Sequence, residues 1–163
     1  MKLLIATTLA LALAATSAHA DPRAFTIGGQ PSWFLLAGVT GGGTPYETHG
    51  GFVGGELSVT RLRQGRMLGV YADSYYDFGV DGTYLTGGLA VGRKIGMIPL
   101  GLDAGGAVRF AYGDRQLGAT GRIFVSAGIF SIYARYLYFT DTDRNDHVVQ
   151  LGAALKLPLV SPW

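Results

Sequence analysis

The sequence predicts an all-β fold, an eight-stranded antiparallel up-and-down transmembrane β-barrel. Over most of the chain, apolar and polar residues alternate with the two-residue period of a β-strand. The composition agrees, because the chain has 26 glycines, 9 tyrosines and 8 phenylalanines but only 15% charged residues. After the N-terminal region, no stretch approaches the roughly 18 consecutive apolar residues that a membrane helix needs. Strands are therefore the expected membrane-crossing elements.

The N-terminal region has the pattern of a secretory signal peptide. Lys2 precedes an apolar run over 3–15, and a small-residue cleavage motif ends at Ala20. A membrane anchor is the alternative, which the shortness of the apolar run disfavours. We expect a signal peptide over 1–20 that is removed after Sec-type export, a periplasmic segment over 21–31, and the barrel over 32–163. The sequence has no cysteine, which excludes disulfides and thiolate metal sites.

Eight alternating segments can be assigned in order along the barrel region. Each has about 9 to 15 residues, close to what a tilted strand needs to cross a bilayer. The predicted strands are 32–41, 50–63, 66–76, 83–95, 99–112, 117–128, 130–140 and 147–160. In the fifth, Asp103 and Arg109 fall on one face and large apolar residues on the other. The first is apolar on both faces around Phe34, so its register stays undecided.

The last predicted strand has a distinct pattern. Every second residue from Val149 to Leu159 is aliphatic, polar or small residues lie between them, and Trp163 follows. A strand of this kind that finishes on an aromatic residue resembles the closing strand of bacterial outer-membrane barrels, which the barrel-assembly machinery reads. The resemblance implies an assembly signal made of Leu155, Leu157, Leu159 and Trp163.

The connections are expected to alternate between short turns and longer loops, as an outer-membrane barrel requires. Short turns are predicted near 64–65, 96–98 and 128–129, and longer loops at 41–50, 76–82, 112–116 and 140–146. Closure removes the exposed strand edges that lipid would not tolerate. A soluble β-sandwich is the alternative, but it leaves the apolar rows of its outer faces unexplained.

Counting residues up from the short-turn end predicts a belt of inward charges halfway along the barrel. Arg109 and three tyrosines, Tyr71, Tyr75 and Tyr133, add bulk to the same lumen. An eight-stranded barrel is only wide enough for side chains to fill, so the lumen is expected to be plugged. The predicted lumen charge network is Glu56, Asp73, Asp103, Arg109, Arg122, Arg135 and Lys156. It can be a structural network of mutually satisfied charges or a path for protons or ions.

Charge is also divided along the barrel axis. The short-turn end carries Arg61, Arg63, Arg66, Arg93 and Lys94. The loop end carries Glu47, Asp77, Asp81, Asp114, Asp141, Asp143 and Asp146 against Arg115 and Arg144. Divalent cations can bridge such carboxylates to lipopolysaccharide phosphates. A weak EF-hand-like spacing nominates Asp141, Asp143, Asn145 and Asp146 as metal ligands, but the sixth position lacks glycine, so a solvated loop is favoured.

An enzyme would need a nucleophile and a base within reach of each other. His49, Asp73 and Ser74 are the alternative catalytic set, and the segment 71–75 loosely resembles PagP-type lipid A palmitoyltransferases, which are also small barrels. Those enzymes carry a histidine close to the first strand and an amphipathic helix before the barrel. Here the first strand has no histidine, and only about eleven residues separate it from the predicted signal peptide. The histidine and serine that PagL-type deacylases place on one strand are also missing.

The predicted barrel region as a whole resembles the OmpX/Ail and OmpA-barrel group of Gram-negative outer-membrane proteins. The resemblance implies a plugged barrel in the cell outer membrane, without a cofactor, whose loops contact lipopolysaccharide or an external partner. A monomer is the favoured state, and the oligomeric state is left open by the sequence. The alternatives are a lipid A-modifying acyltransferase at the outer rim and a narrow channel for small or hydrophobic solutes. The net charge of +2 gives no indication of a nucleic-acid partner.

Overall fold

The fold is a closed antiparallel β-barrel of eight strands, seen in a computed structural model that describes residues 32–45, 50–95, 98–140 and 145–160. The strands are β1 (Ser32–Gly43), β2 (Gly51–Arg63), β3 (Arg66–Asp77), β4 (Gly82–Ile95), β5 (Ile98–Ala111), β6 (Asp114–Ala127), β7 (Phe130–Thr140) and β8 (Asn145–Val160). The predicted signal peptide (1–20) and periplasmic segment (21–31) lie outside the described residues. No helix long and apolar enough to cross a membrane occurs in the described ranges.

Each strand pairs with the next, and β1 pairs with β8 to close the barrel. The start of β1 and the end of β8 both lie at the end that carries the short turns. The up-and-down antiparallel topology predicted from the alternating pattern is thereby confirmed. Because the sheet closes on itself, none of the eight strands is left as an exposed edge.

Side chains alternate between the lumen and the outer surface along every strand. The lumen contains buried aromatic and aliphatic side chains, namely Phe52, Tyr71, Tyr75, Tyr84, Phe124, Tyr133, Leu137, Phe139 and Val148. The outer surface exposes large apolar side chains, among them Leu57, Leu68, Val70, Leu89, Val91, Leu102, Leu117, Ile123, Ile132 and Leu151. The core of this protein is therefore the inside of the barrel, and its apolar exterior requires an apolar surrounding.

The register of β1, undecided from sequence, follows from its partner strand. Gly38 pairs with Glu56, which is buried in the lumen, so the even-numbered residues of β1 face inward. Phe34 and Thr40 are accordingly buried, whereas Trp33 is 39% exposed on the outside.

One predicted loop is wrong. The β5–β6 connection is a two-residue turn of Tyr112 and Gly113, and β6 begins at Asp114 instead of residue 117. Both turn residues have positive φ, 54° and 87°, which is the mirror-image turn that matches the twist of a hairpin. Gln64 and Gly65 form the same kind of turn at the opposite end, with φ of 49° and 72°. The loop end of the barrel therefore also contains one tight turn.

Two glycines let β4 and β5 approach closely at the level of the lumen charges. Gly88 pairs with Gly105, and a Cβ on Gly105 would lie 2.0 Å from the carbonyl oxygen of Gly87. No side chain fits there without moving backbone.

Candidate functional site

The candidate site is a cluster of six ionisable side chains inside the barrel, which we call the central charge network. It consists of Glu56 on β2, Asp73 on β3, Asp103 on β5, Arg122 on β6, Arg135 on β7 and Lys156 on β8. Each occupies an inward position of its strand, so the alternation of the sequence brings all six together. Three carboxylates and three cations balance, which removes much of the penalty of burying charge.

Arg122 connects the acidic residues of the network. Its Nη1 donates to Glu56 Oε2 at 2.7 Å, and its Nε donates to Asp103 Oδ2 at 2.6 Å. Asp73 Oδ2 lies 3.9 Å from the same Nη1. The guanidinium also lies over the rings of Tyr71 and Tyr133, at 5.0 and 5.1 Å from their centroids. Arg122 thus contacts all three carboxylates and the aromatic wall at once.

The remaining two cations complete the network. Arg135 donates to Asp73, which also accepts a hydrogen bond from Thr86, and Lys156 donates to Glu56. The side chain of Arg135 is only 1% exposed and lies between the rings of Tyr75 and Tyr133, 4.9 and 5.3 Å from their centroids. Charged groups and aromatic rings therefore share the cross-section of the lumen, and this arrangement can hold strands together without a ligand.

Arg109 lies in the lumen but belongs to a separate group nearer the loop end. It forms an ion pair with Asp146 and donates to Gln116 Oε1 at 2.6 Å, while its guanidinium lies 4.6 Å from the ring centroid of Phe139. In the sequence interpretation, Asp146 belonged to the acidic rim and to the weak metal site. That interpretation is wrong for Asp146, because β8 begins at Asn145 and its alternation directs Asp146 inward.

The acidic rim is smaller than the sequence indicated. Asp77 is buried and accepts hydrogen bonds from Thr44 Oγ1 at 3.1 Å and from the backbone N–H of Gly79 at 2.8 Å. Asp81 accepts a hydrogen bond from Tyr76. Asp114 is exposed at the start of β6. Glu47, Asp141, Asp143 and Arg144 lie outside the described residues, and the described ones contain no group of acidic or histidine side chains arranged to hold a metal ion.

The two described members of the alternative catalytic set, Asp73 and Ser74, are not brought together by the barrel. Asp73 and Ser74 are consecutive in β3, so their side chains point to opposite faces: Asp73 is buried in the central charge network and Ser74 is exposed outside. His49 lies outside the described residues. His147 is exposed near the loop end of β8, where its Nδ1 is hydrogen-bonded to the hydroxyl of Tyr136. The alternative prediction that Asp73 and Ser74 act together on one substrate is therefore wrong.

Part of the expected assembly signal lies on the outer surface. Leu155 and Leu159 are 42% and 40% exposed on β8, and Leu157, in the same phase, pairs with Ala37 of β1. Trp163 lies outside the described residues. The described part is compatible with an apolar outward row, and its role in assembly stays a prediction.

Solved structures of similar fold match the chain, and two of them are described here. The outer membrane protein Ail of Yersinia pestis in a phospholipid bilayer nanodisc is 14% identical, with 76% of this chain and 99% of that chain covered and a TM-score of 0.45. Neisserial surface protein A (NspA) is 11% identical, with 78% and 96% covered and a TM-score of 0.49. No protein-family model and no curated protein matches the chain.

Proposed function

We propose that this protein is a non-enzymatic, non-conducting barrel of the outer membrane whose loops contact lipopolysaccharide through divalent cations. The observation that carries the proposal is the combination of an apolar exterior with a lumen occupied by the central charge network. Such a molecule neither needs nor admits a solute, so its contribution to the cell lies at its surface and loops.

The exterior supports the membrane location. Exposed apolar side chains are found on all eight strands, and every strand has at least the roughly 9 to 11 residues that a tilted membrane-crossing strand needs. Exposed aromatic residues lie at both ends of the band, with Trp33 and Phe130 near the short turns and Phe110 and Tyr112 near the loops. Aromatic girdles of this kind mark the two membrane–water interfaces of outer-membrane barrels.

The loop contact rests on fewer carboxylates than the sequence indicated. Because Asp77 and Asp146 are engaged inside the barrel, the acidic groups left for cation bridging are Asp114 and, outside the described residues, Glu47, Asp141 and Asp143. Carboxylate oxygens are the ligands that Ca²⁺ and Mg²⁺ prefer, and lipopolysaccharide phosphates would supply the other oxygens.

Lipopolysaccharide retained by the purified full chain tests this proposal. We expect the wild-type protein to retain lipopolysaccharide in Mg²⁺ and to lose most of it in a chelator. The triple variant Asp114→Asn, Asp141→Asn, Asp143→Asn should retain several-fold less in Mg²⁺. Asp81→Asn is the control for the loss of a single loop-end charge, at a carboxylate that already accepts a hydrogen bond from Tyr76. If neither the chelator nor the triple substitution lowers the amount of retained lipopolysaccharide, the cation bridge is refuted.

Mass spectrometry of lipid A separates this function from an acyltransferase. Cells with and without the protein should contain the same lipid A species, because the side chains of Ser74 and Asp73 point to opposite sides of the barrel wall. If the protein adds or removes an acyl chain of lipid A, and His49→Ala or Ser74→Ala abolishes that change, the enzymatic function would replace the proposed one.

A further inference from the structure

Four arginines form a cluster on the outer surface at the short-turn end. Arg63 of β2 pairs with Arg66 of β3, and Arg66 pairs with Arg93 of β4, so three arginines occupy neighbouring positions on adjacent strands. Arg61 lies one outward position further along β2. All four occupy the outward phase, opposite in direction to the lumen residues of the same strands.

These arginines surround a groove with an apolar floor. The groove has a volume of about 400 Å³ and is lined by Arg61, Arg63, Arg66, Met67, Leu68, Val91, Gly92 and Arg93. Leu68 and Val91 are 55% and 49% exposed and continue into the apolar exterior of the barrel. The groove is therefore cationic on the side of the turns and apolar on the side of the barrel centre, as an amphiphile requires.

The described part of the chain does not compensate the positive charge of the cluster. Among the residues that the structure describes, no carboxylate forms an ion pair with any of the four arginines. Like charges directly opposite each other on neighbouring strands are destabilising unless an anion lies between them. The Nε of Arg61 is also buried without a hydrogen-bond partner among the described residues. An anion with several oxygen acceptors would therefore compensate these charges where the described residues do not.

The position of the cluster identifies the source of that acceptor. Arg61 lies over the ring of Trp33, 5.6 Å from its centroid, and an exposed tryptophan at the end of an apolar band marks the level of lipid headgroups. Short turns face the periplasm in outer-membrane barrels, so this level belongs to the inner leaflet. At that depth, a guanidinium meets the phosphate oxygens of phospholipid headgroups. The acyl chains of those lipids would extend along Leu68 and Val91.

We propose that Arg61, Arg63, Arg66 and Arg93 form a binding site for the phosphate headgroups of anionic phospholipids. Guanidinium groups donate paired hydrogen bonds to phosphate oxygens, and the apolar floor accepts the first part of an acyl chain. The site is distinct from the loop contact with lipopolysaccharide, since it lies at the opposite end of the barrel. It rests on the membrane location in the proposed function.

Trp33 supplies a natural reporter for this site. In a Trp163→Phe background Trp33 is the only tryptophan, because the sequence contains two. The full chain is folded into phosphatidylcholine vesicles that contain either brominated phosphatidylglycerol or brominated phosphatidylcholine, and quenching of Trp33 gives the relative association of the two lipids. We expect a preference for phosphatidylglycerol of roughly fivefold or more, as polybasic sites show near anionic lipid.

Variants assign the preference to the cluster. The triple variant Arg63→Gln, Arg66→Gln, Arg93→Gln should bring the ratio close to one, whereas the corresponding three Lys substitutions should keep most of it. Arg115→Gln removes an exposed arginine at the loop end and should leave the ratio unchanged. If the triple Gln variant does not fold, Arg93→Gln alone should lower the preference measurably.

Two results would overturn the site. They are a wild-type ratio close to one, and a preference that the Gln substitutions do not change. The folded, heat-modifiable band on gels is recorded for each sample. A barrel that inserts but shows no preference refutes the lipid site alone, whereas a chain that does not insert into any bilayer refutes the membrane location.

Discussion

Arg135 illustrates how the barrel accommodates a guanidinium that is almost fully buried. Its ion pair with Asp73 is supported by the rings of Tyr75 and Tyr133, and Asp73 is held in turn by Thr86. Removing one partner of such a pair leaves the other charge buried and uncompensated. Arg135 therefore stabilises the barrel by compensating the buried charge of Asp73.

Replacing Arg135 by Ala should destabilise the barrel by about 3 to 5 kcal/mol, because Asp73 loses its main counter-charge. The measurement is the midpoint of urea unfolding in detergent micelles, followed by the heat-modifiable mobility of the folded form. Arg115→Ala is the matched control, since Arg115 is exposed at the start of β6, and it should shift the midpoint little. An unchanged midpoint for Arg135→Ala would mean that water reaches and satisfies Asp73.

At this scale the alternation of the sequence was informative for charges in the middle of strands. Glu56, Arg122 and Lys156 lie far from strand ends, so an error of one or two residues in the bounds does not move them to the other face. Asp146 was misassigned because it lies beside a segment rich in aspartate. Its position in the inward phase of β8, with Gln150 and Lys156, was the signal that could have identified it.

The strands themselves were predictable, because a row of alternating apolar residues runs along most of each strand. Some strand ends were not predictable. The start of β6 contains Asp114, Arg115 and Gln116, which look like a loop because no apolar residue marks the outer phase. The structure extends pairing to Asp114 through the tight turn at Gly113. A polar extension beyond the apolar band carries no hydrophobic period, so sequence patterning stops before the strand does.

The contact between β4 and β5 can be tested with two adjacent glycines. Gly105→Ala should destabilise the barrel by about 1 to 3 kcal/mol, because the new methyl group would meet the backbone of Gly87 and Gly88. Gly106→Ala is the control on the same strand, since a Cβ there meets nothing within 4 Å, and its effect should stay within about 0.5 kcal/mol. Equal urea midpoints of unfolding for the two variants would show that β4 and β5 can move apart without loss of stability.

For the whole molecule, closure and lumen filling were predictable together. The interior of an eight-stranded barrel is narrow enough for side chains to fill it. Many inward residues of this chain are large or charged. The function was less accessible, because it depends on loops and on outer patches that have no periodic pattern. Arg63, Arg66 and Arg93 illustrate this, since only the register of three strands shows that they adjoin one another.

A filled lumen should not conduct ions. In planar bilayers we expect no stable steps from the wild-type protein, because Arg122, Arg135 and the rings around them occupy the cross-section at the height of Glu56. The double variant Arg122→Ala, Tyr133→Ala removes two of the largest groups from that level and should give small, reproducible openings if it folds. Arg115→Ala, which changes an exposed side chain at the loop end, should stay silent like the wild type. Large and reproducible steps from the wild-type protein would mean that the central charge network lines an open path, so that its six charges select ions in addition to stabilising the barrel.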